Sequence, residues 1–263
     1  MTTTGVEFWR CSMENARQIS RRTWLARVAW GSVAVWSELN FGFGRRGWGI
    51  AIGDSDLALG VAHAQKPGAA EALRVNLGFV NAYVLVRGKE AAVVDTGTPN
   101  NASKIADVVR TAGLGWGAVH HVILTHYHPD HIGSVGDVLA AAATATAYAG
   151  AADIPQIKSP RPLKAVADND EVFGLRVIAT PGHTPGHVCV FDPAGSLLIL
   201  GDALNHIDNK LEGPNAQYTA DMAEAHRSVK KLAKLQFQRA LFSHGEPIDK
   251  SASQAIAKLA GTL

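Results

Sequence analysis

The stretch Thr125-His126-Tyr127-His128-Pro129-Asp130-His131 places three imidazoles and one carboxylate within six consecutive residues. By chance such a run is expected on the order of once in a thousand chains of this composition, so it is a specific signal. It follows directly on the short apolar run 119–124, which reads as a strand. The loop 125–133 therefore starts at a strand end, where side chains can converge on one point instead of alternating between two faces. Imidazole and carboxylate at this density point to a divalent metal site, because unpaired polar groups packed this closely carry a heavy burial cost.

Reading outward, residues 79–86 and 91–95 are β-rich runs split by Arg87-Gly88-Lys89-Glu90, a hairpin that ends in Asp95-Thr96-Gly97-Thr98-Pro99. Between it and the central strand, residues 101–112 carry Ile105, Val108 and Val109 at helical spacing and stop at Gly113. Beyond the loop the pattern predicts a helix at 134–142 and a strand at 145–149. After a Pro-rich connection come strands at 176–180, 188–192 and 197–200. Thr219 is read as the start of a helix with Asp221 and Glu224 in its first turn and Lys230, Lys231 and Lys234 near its end, which matches the helix dipole. A strand at 240–243 and a helix from Ser251 follow. Strands alternating with helices predict an α/β layered fold.

Three further pieces have the form of a strand end turning sharply. Thr180-Pro181-Gly182-His183-Thr184-Pro185-Gly186-His187 supplies His183, Leu200-Gly201-Asp202-Ala203 supplies Asp202, and Phe242-Ser243-His244-Gly245-Glu246 supplies His244. Taken singly each reads as a polar turn; their order after the first motif changes that reading.

Together the motifs H-x-H-x-D-H, P-G-H-T-x-G-H, G-D and the late S-H-G resemble the metallo-β-lactamase superfamily of metallo-hydrolases, over roughly residues 74–250. The resemblance implies a four-layer αββα sandwich with two metal ions at one edge of its facing sheets. It assigns His126, His128 and His183 to the first ion, Asp130, His131 and His244 to the second, and Asp202 as the bridge. Five imidazoles and two carboxylates are also about what two divalent ions need once a shared water is added. Zinc is the expected metal, with iron or manganese as alternatives. Asp95 is similar to the family's aspartate that orients a histidine ligand; a plain turn aspartate is the other reading.

The chemistry implied is hydrolysis of a lactone, ester or thioester, two close cations lowering the pKa of a shared water. Asp130 is a candidate catalytic group as well as a ligand. A bridging aspartate is similar to the glyoxalase II and lactonase branches and unlike true β-lactamases. Glyoxalase II carries a helical domain after its last metal histidine, whereas 19 residues follow His244 here. Acyl-homoserine lactonases place a tyrosine three residues after the bridging aspartate; Asn205, followed by His206, stands there in this chain and either could polarise a carbonyl or leaving group. Substrate walls are expected from the irregular connections 154–163 and 205–220. A mononuclear iron enzyme of the persulfide-dioxygenase type and a non-catalytic metal-binding protein remain alternatives.

Composition fits this outline and divides the chain. Residues 1–64 hold 7 Lys+Arg against 5 Asp+Glu, and the rest 18 against 18, so the net charge of +2 comes from the first segment. A neutral body with no basic run predicts a small-molecule substrate, no nucleic-acid partner and no stable membrane anchor; oligomeric state is not readable. Cys11 and Cys189 fall on opposite sides of the split, leaving no disulfide framework in the body, and Cys189 reads as a core residue. Residues 1–64 form an extension before a catalytic domain at 65–263. Ser20-Arg21-Arg22-Thr23-Trp24-Leu25-Ala26, the apolar run 28–36 and the small-x-small Ala62-His63-Ala64 have the form of a twin-arginine export signal, which predicts a periplasmic or extracellular protein. If the segment is only an extension, the protein stays in the cytoplasm.

Overall fold

A computed structural model describes residues 68–263. The expectations for residues 1–64, the export signal among them, lie outside the described residues.

The chain first builds a six-stranded sheet. β1 (Glu71–Asn76), β2 (Asn81–Arg87) and β3 (Glu90–Val94) are antiparallel neighbours, and β4 (Val119–Ile123), β5 (Thr146–Gly150) and β6 (Lys164–Val166) continue in parallel from β3. Helices α1 (Ala102–Thr111) and α3 (Val135–Ala141) pack on its outer face through Ile105, Val109, Val138 and Leu139 against Val84, Val93 and Val122. A five-stranded sheet follows, in the order β13 (Arg239–Leu241), β10 (Leu197–Ile199), β9 (Val188–Asp192), β8 (Leu175–Ala179), β7 (Glu171–Val172). α4 (Met222–Leu232) and α5 (Ala252–Ala260) cover its outer face through Val229, Leu232 and Ile256 on Leu198 and Phe242.

Between the sheets, Tyr83, Leu85, Val94 and Ile123 meet Val177, Val190, Ile199 and Leu241 in a third apolar layer. A strand covered on both faces buries every position, as β9 does at all five; its one charged residue, Asp192, is paired with Arg87 at 3.0 Å. Helix, sheet, sheet, helix is the four-layer αββα sandwich expected from the sequence. Among the described residues no helix is long and apolar enough to cross a membrane.

Several local expectations are corrected. β1 (Glu71–Asn76) precedes the first strand expected from the sequence, at 79–86; as an edge strand it buries fully only Val75 and lacks an apolar alternation. The loop 125–133 contains a one-turn helix, α2 (Pro129–Ile132), with Pro129 in its first turn. α4 starts at Met222, not Thr219: Asp221 is its N-cap and accepts from the Glu224 backbone N–H at 2.9 Å. The connection 205–220 is not wholly irregular, since β11 (Asn205–Ile207) and β12 (Lys210–Glu212) form a hairpin. Its turn residues Asp208 and Asn209 both have φ above zero, at 52° and 60°, as a tight hairpin requires. The connection 154–163 builds no wall of the large cavity described below; its Arg161 instead donates to the carbonyls of Leu139 and Ala142, the orphaned end of α3.

Candidate metal centre

Every donor named from the sequence leaves the C-terminal end of a strand. Asp95 follows β3, His126 to His131 follow β4, His183 follows β8, Asp202 follows β10 and His244 follows β13. The sandwich brings them to one edge. There His126, His128, His183 and Asp202 present ligand atoms within 4.8 Å of one another, and Asp130, His131 and His244 do the same.

Proton placement around the imidazoles determines what they can bind. Thr125 Oγ1 donates to Asp95 Oδ2 at 2.7 Å, so it accepts from His126 Nδ1 at 3.0 Å. His131 Nδ1 donates to Asp95 Oδ2 at 2.9 Å, and His244 Nδ1 donates to the Phe79 carbonyl at 2.9 Å. Thr219 Oγ1 donates to the Asn215 carbonyl at 2.7 Å and so accepts from His183 Nδ1 at 3.2 Å. With Nδ1 the donor in all four rings, each Nε2 lone pair is directed inward.

Three of those lone pairs face Asp202, and His183 Nε2 also accepts from His128 Nδ1 at 2.9 Å. His131 Nε2 lies 3.2 Å from Asp202 Oδ1, and Asp202 Oδ2 lies 3.4 Å from both His183 Nε2 and His244 Nε2. His126 Nε2, His131 Nε2 and Asp202 Oδ1 are buried without a hydrogen-bond partner. Three buried, converging polar atoms left without a partner are satisfied by cations. The donor set fits two divalent ions, and Asp202 is the carboxylate that reaches members of both groups.

The electrostatics agree. Burial lowers the pKa of His126 far below that of a free imidazole and that of His183 to about 4, which leaves both rings neutral, the ligand form. Burial pushes the Asp202 carboxyl up, but the surrounding imidazoles, His131 first, outweigh it and hold the group well below the usual range. For His131 burial acts downward and is overcome by the Asp202 and Asp95 carboxylates, so that a proton takes the central place when no metal does.

The supporting residues include several that the sequence reading passed over. Asp95, a neighbour of His131, sits at φ 60° and also accepts from the Thr125 N–H at 2.7 Å, so one strained residue ties the ends of β3 and β4 together. Asp153 accepts from Thr184 Oγ1 at 2.6 Å and from the Gly186 N–H at 2.7 Å, which fixes the turn that carries His183. His187 Nε2 accepts from the Asp202 N–H at 3.1 Å, and Gly201 has φ 52° with room for no Cβ, which would meet that same Nε2 at 2.6 Å, so the position takes glycine. His187 was within the quoted motif and Thr219 was read only as a helix start; Asp153 had no signal that distinguishes it from an ordinary turn residue.

Asn205 and His206 separate. Asn205 and Ile207 line a cavity of about 1170 Å³ that opens over the donor cluster, whereas His206, between them on β11, does not line it, as strand alternation dictates. Its Nδ1 donates to the Glu246 carbonyl at 2.7 Å and its ring packs on Phe242. Cys189 is buried and free, as expected of a core residue, with its sulfur 3.3 Å from Thr180 Oγ1.

Residues 75–244 match the family model described as the metallo-beta-lactamase superfamily. The chain belongs to this superfamily. Among similar proteins, the probable metallo-hydrolase YflN of Bacillus subtilis is 27% identical over 65% of this chain and 81% of its own length. A hydroxyacylglutathione hydrolase of Acidiphilium cryptum is 34% identical, over 59% of each chain. The solved structure of TTHA1623 in a di-iron-bound form superposes with a TM-score of 0.61 and 26% identity, covering 73% of this chain and all of that one. Membership of the metallo-beta-lactamase superfamily makes this chain, at a coarse level, a metallo-hydrolase.

Proposed function

We propose that this chain is a dinuclear metal-dependent hydrolase that cleaves a lactone, ester or thioester of a small-molecule substrate. The observation that carries the reading is Asp202, whose two carboxylate oxygens face His131 on one side and His183 and His244 on the other. In this reading His126, His128 and His183 hold one ion, Asp130, His131 and His244 the other, and Asp202 both. Bound there, the pair supplies Lewis-acid activation of water and of the scissile carbonyl.

The chain's own groups supply the rest. Asp130 lines the cavity with its side chain 25% exposed, so its carboxylate can accept a water proton at the cavity floor. Asn205 presents an amide on the same wall and, with Nδ2 donating to the Gly213 carbonyl at 3.3 Å, is positioned to orient substrate. His206, turned off the cavity, has no part in the proposal. The complete second donor group favours two ions over the single iron of a persulfide dioxygenase. Zinc is the proposed metal, and the di-iron form of TTHA1623 makes iron the comparison to run.

Metal analysis of the purified protein together with turnover of lactones, esters, thioesters and β-lactams tests the proposal. Two ions per chain with turnover of one of the first three classes is the expected result. One iron per chain with persulfide-dependent oxygen uptake would replace the reading with the oxygenase, and two bound ions without turnover across the panel would leave a non-catalytic binding protein.

A further inference from the structure

We infer that Glu246 is a specificity determinant: by occupying Arg74 it denies the cavity mouth a free cationic side chain for an anionic tail, and the cavity therefore takes a substrate whose tail is neutral and apolar. The inference rests on the proposal that this cavity receives the substrate, and it names the substrate's charge class.

Arg74 is the one Arg or Lys among the described residues that line the cavity. Three of its five N–H donors are already engaged and its charge is paired. Its Nε donates to Asn81 Oδ1 at 2.8 Å, Nη1 to Glu246 Oε2 at 2.5 Å and Nη2 to Glu246 Oε1 at 2.9 Å, a two-pronged fork on Glu246 with a further contact to Asn81. Asn81 is itself fixed, donating from Nδ2 to the carbonyls of Phe242 and Gly245. Glu246 is held at its backbone, where its N–H donates to the His206 carbonyl at 2.9 Å. An exposed ion pair of this kind adds little to stability. Its effect is on recognition, because a substrate carboxylate would have to displace an intramolecular partner already in register.

Glu212 also lines the cavity, with its carboxylate paired to Lys210 at 2.5 Å. The apolar side of the inference is independent of charge: Phe79, Ile207 and Tyr218 are 68%, 47% and 58% exposed, they are the exposed large hydrophobics among the described residues, and all three line this one cavity. Apolar surface gathered at one opening and rimmed by polar groups marks a binding face.

The test compares two γ-lactams that resist hydrolysis and differ only in the tail, N-hexyl-2-pyrrolidinone and N-(5-carboxypentyl)-2-pyrrolidinone. Their binding to the full-length protein is measured by calorimetry, as purified and after chelation. The wild type is expected to prefer the neutral compound about tenfold, and Glu246→Gln is expected to shift the anionic-to-neutral affinity ratio about tenfold toward the anion, the weight of a charge-assisted contact. Adding Arg74→Gln to that variant should return the ratio. Equal binding of the two compounds by the wild type, no binding of either, or a ratio unmoved by Glu246→Gln would each overturn the inference. Because lactam binding needs no turnover, a protein that prefers the neutral lactam but cleaves nothing refutes the hydrolase proposal and leaves this one standing.

Discussion

Asp95 Oδ2 stands 2.9 Å from His131 Nδ1, and through that contact a residue at the end of one strand sets the ring angle of a donor on the next loop. Asp95→Ala removes the acceptor that keeps the His131 proton on Nδ1. The expected outcome is a 10- to 100-fold loss of affinity, on the order usual for such outer partners, at the group that contains His131. Titration against a metal-buffering dye reads it, and Asp95→Asn should fall between variant and wild type because an amide oxygen accepts without the charge.

Asp202→Ala takes away the one carboxylate that approaches both donor groups. Metal content measured after dialysis is expected to fall at both positions, and turnover of whichever substrate the panel identifies is expected to vanish. Full activity in this variant would contradict the bridging role.

Gly245 has φ 105°, and a Cβ there would stand 1.8 Å from the His206 carbonyl oxygen. The residue is adjacent to His244, so relief of the clash must move either the β11–β12 hairpin or the histidine. Gly245→Ala is expected to lower unfolding stability by about 2 kcal/mol or more and to reduce metal content at the same time. Denaturant titration and metal analysis of one preparation check the pair of effects; a variant with wild-type values of both would show that the backbone adapts.

Burial pushes the Cys189 thiol up from 9.0 to about 12. The unfolded thiol therefore ionises before the folded one, and this group's contribution to stability, intact below pH 9, is lost as pH rises toward 12. At pH 8 Cys189 is expected to resist iodoacetamide in the native protein and to react on unfolding, which peptide mass spectrometry resolves residue by residue. Labelling of the folded protein at the rate of a free thiol would place Cys189 outside the core.

The donor residues were legible because ligand chemistry is local: His126, His128, Asp130 and His131 announce themselves by density within six positions. The layering was legible because three apolar layers leave an apolar strand such as β9 and a two-faced helix such as α4. Edge elements were less so. β1 and the β11–β12 hairpin bury one side at most, and their pattern is close to that of a loop, although Asp208-Asn209 was a readable turn signal. Function within the pair Asn205 and His206 depended on strand alternation, which could not be assigned before β11 itself was recognised. Asp153, Thr219 and the Arg74–Glu246 pair arise from contacts between segments far apart in sequence, where no spacing rule operates.

Each donor group draws on both sheets: His126 and His128 from the first with His183 and Asp202 from the second, and Asp130 and His131 from the first with His244 from the second. Neither half of the sandwich holds a complete set. An ion seated in either group therefore acts as a non-covalent cross-link between two halves of the polypeptide that are made at different times. Its uptake during refolding would report the moment at which sheet docks on sheet, and its escape would be an early sign that the two have begun to part.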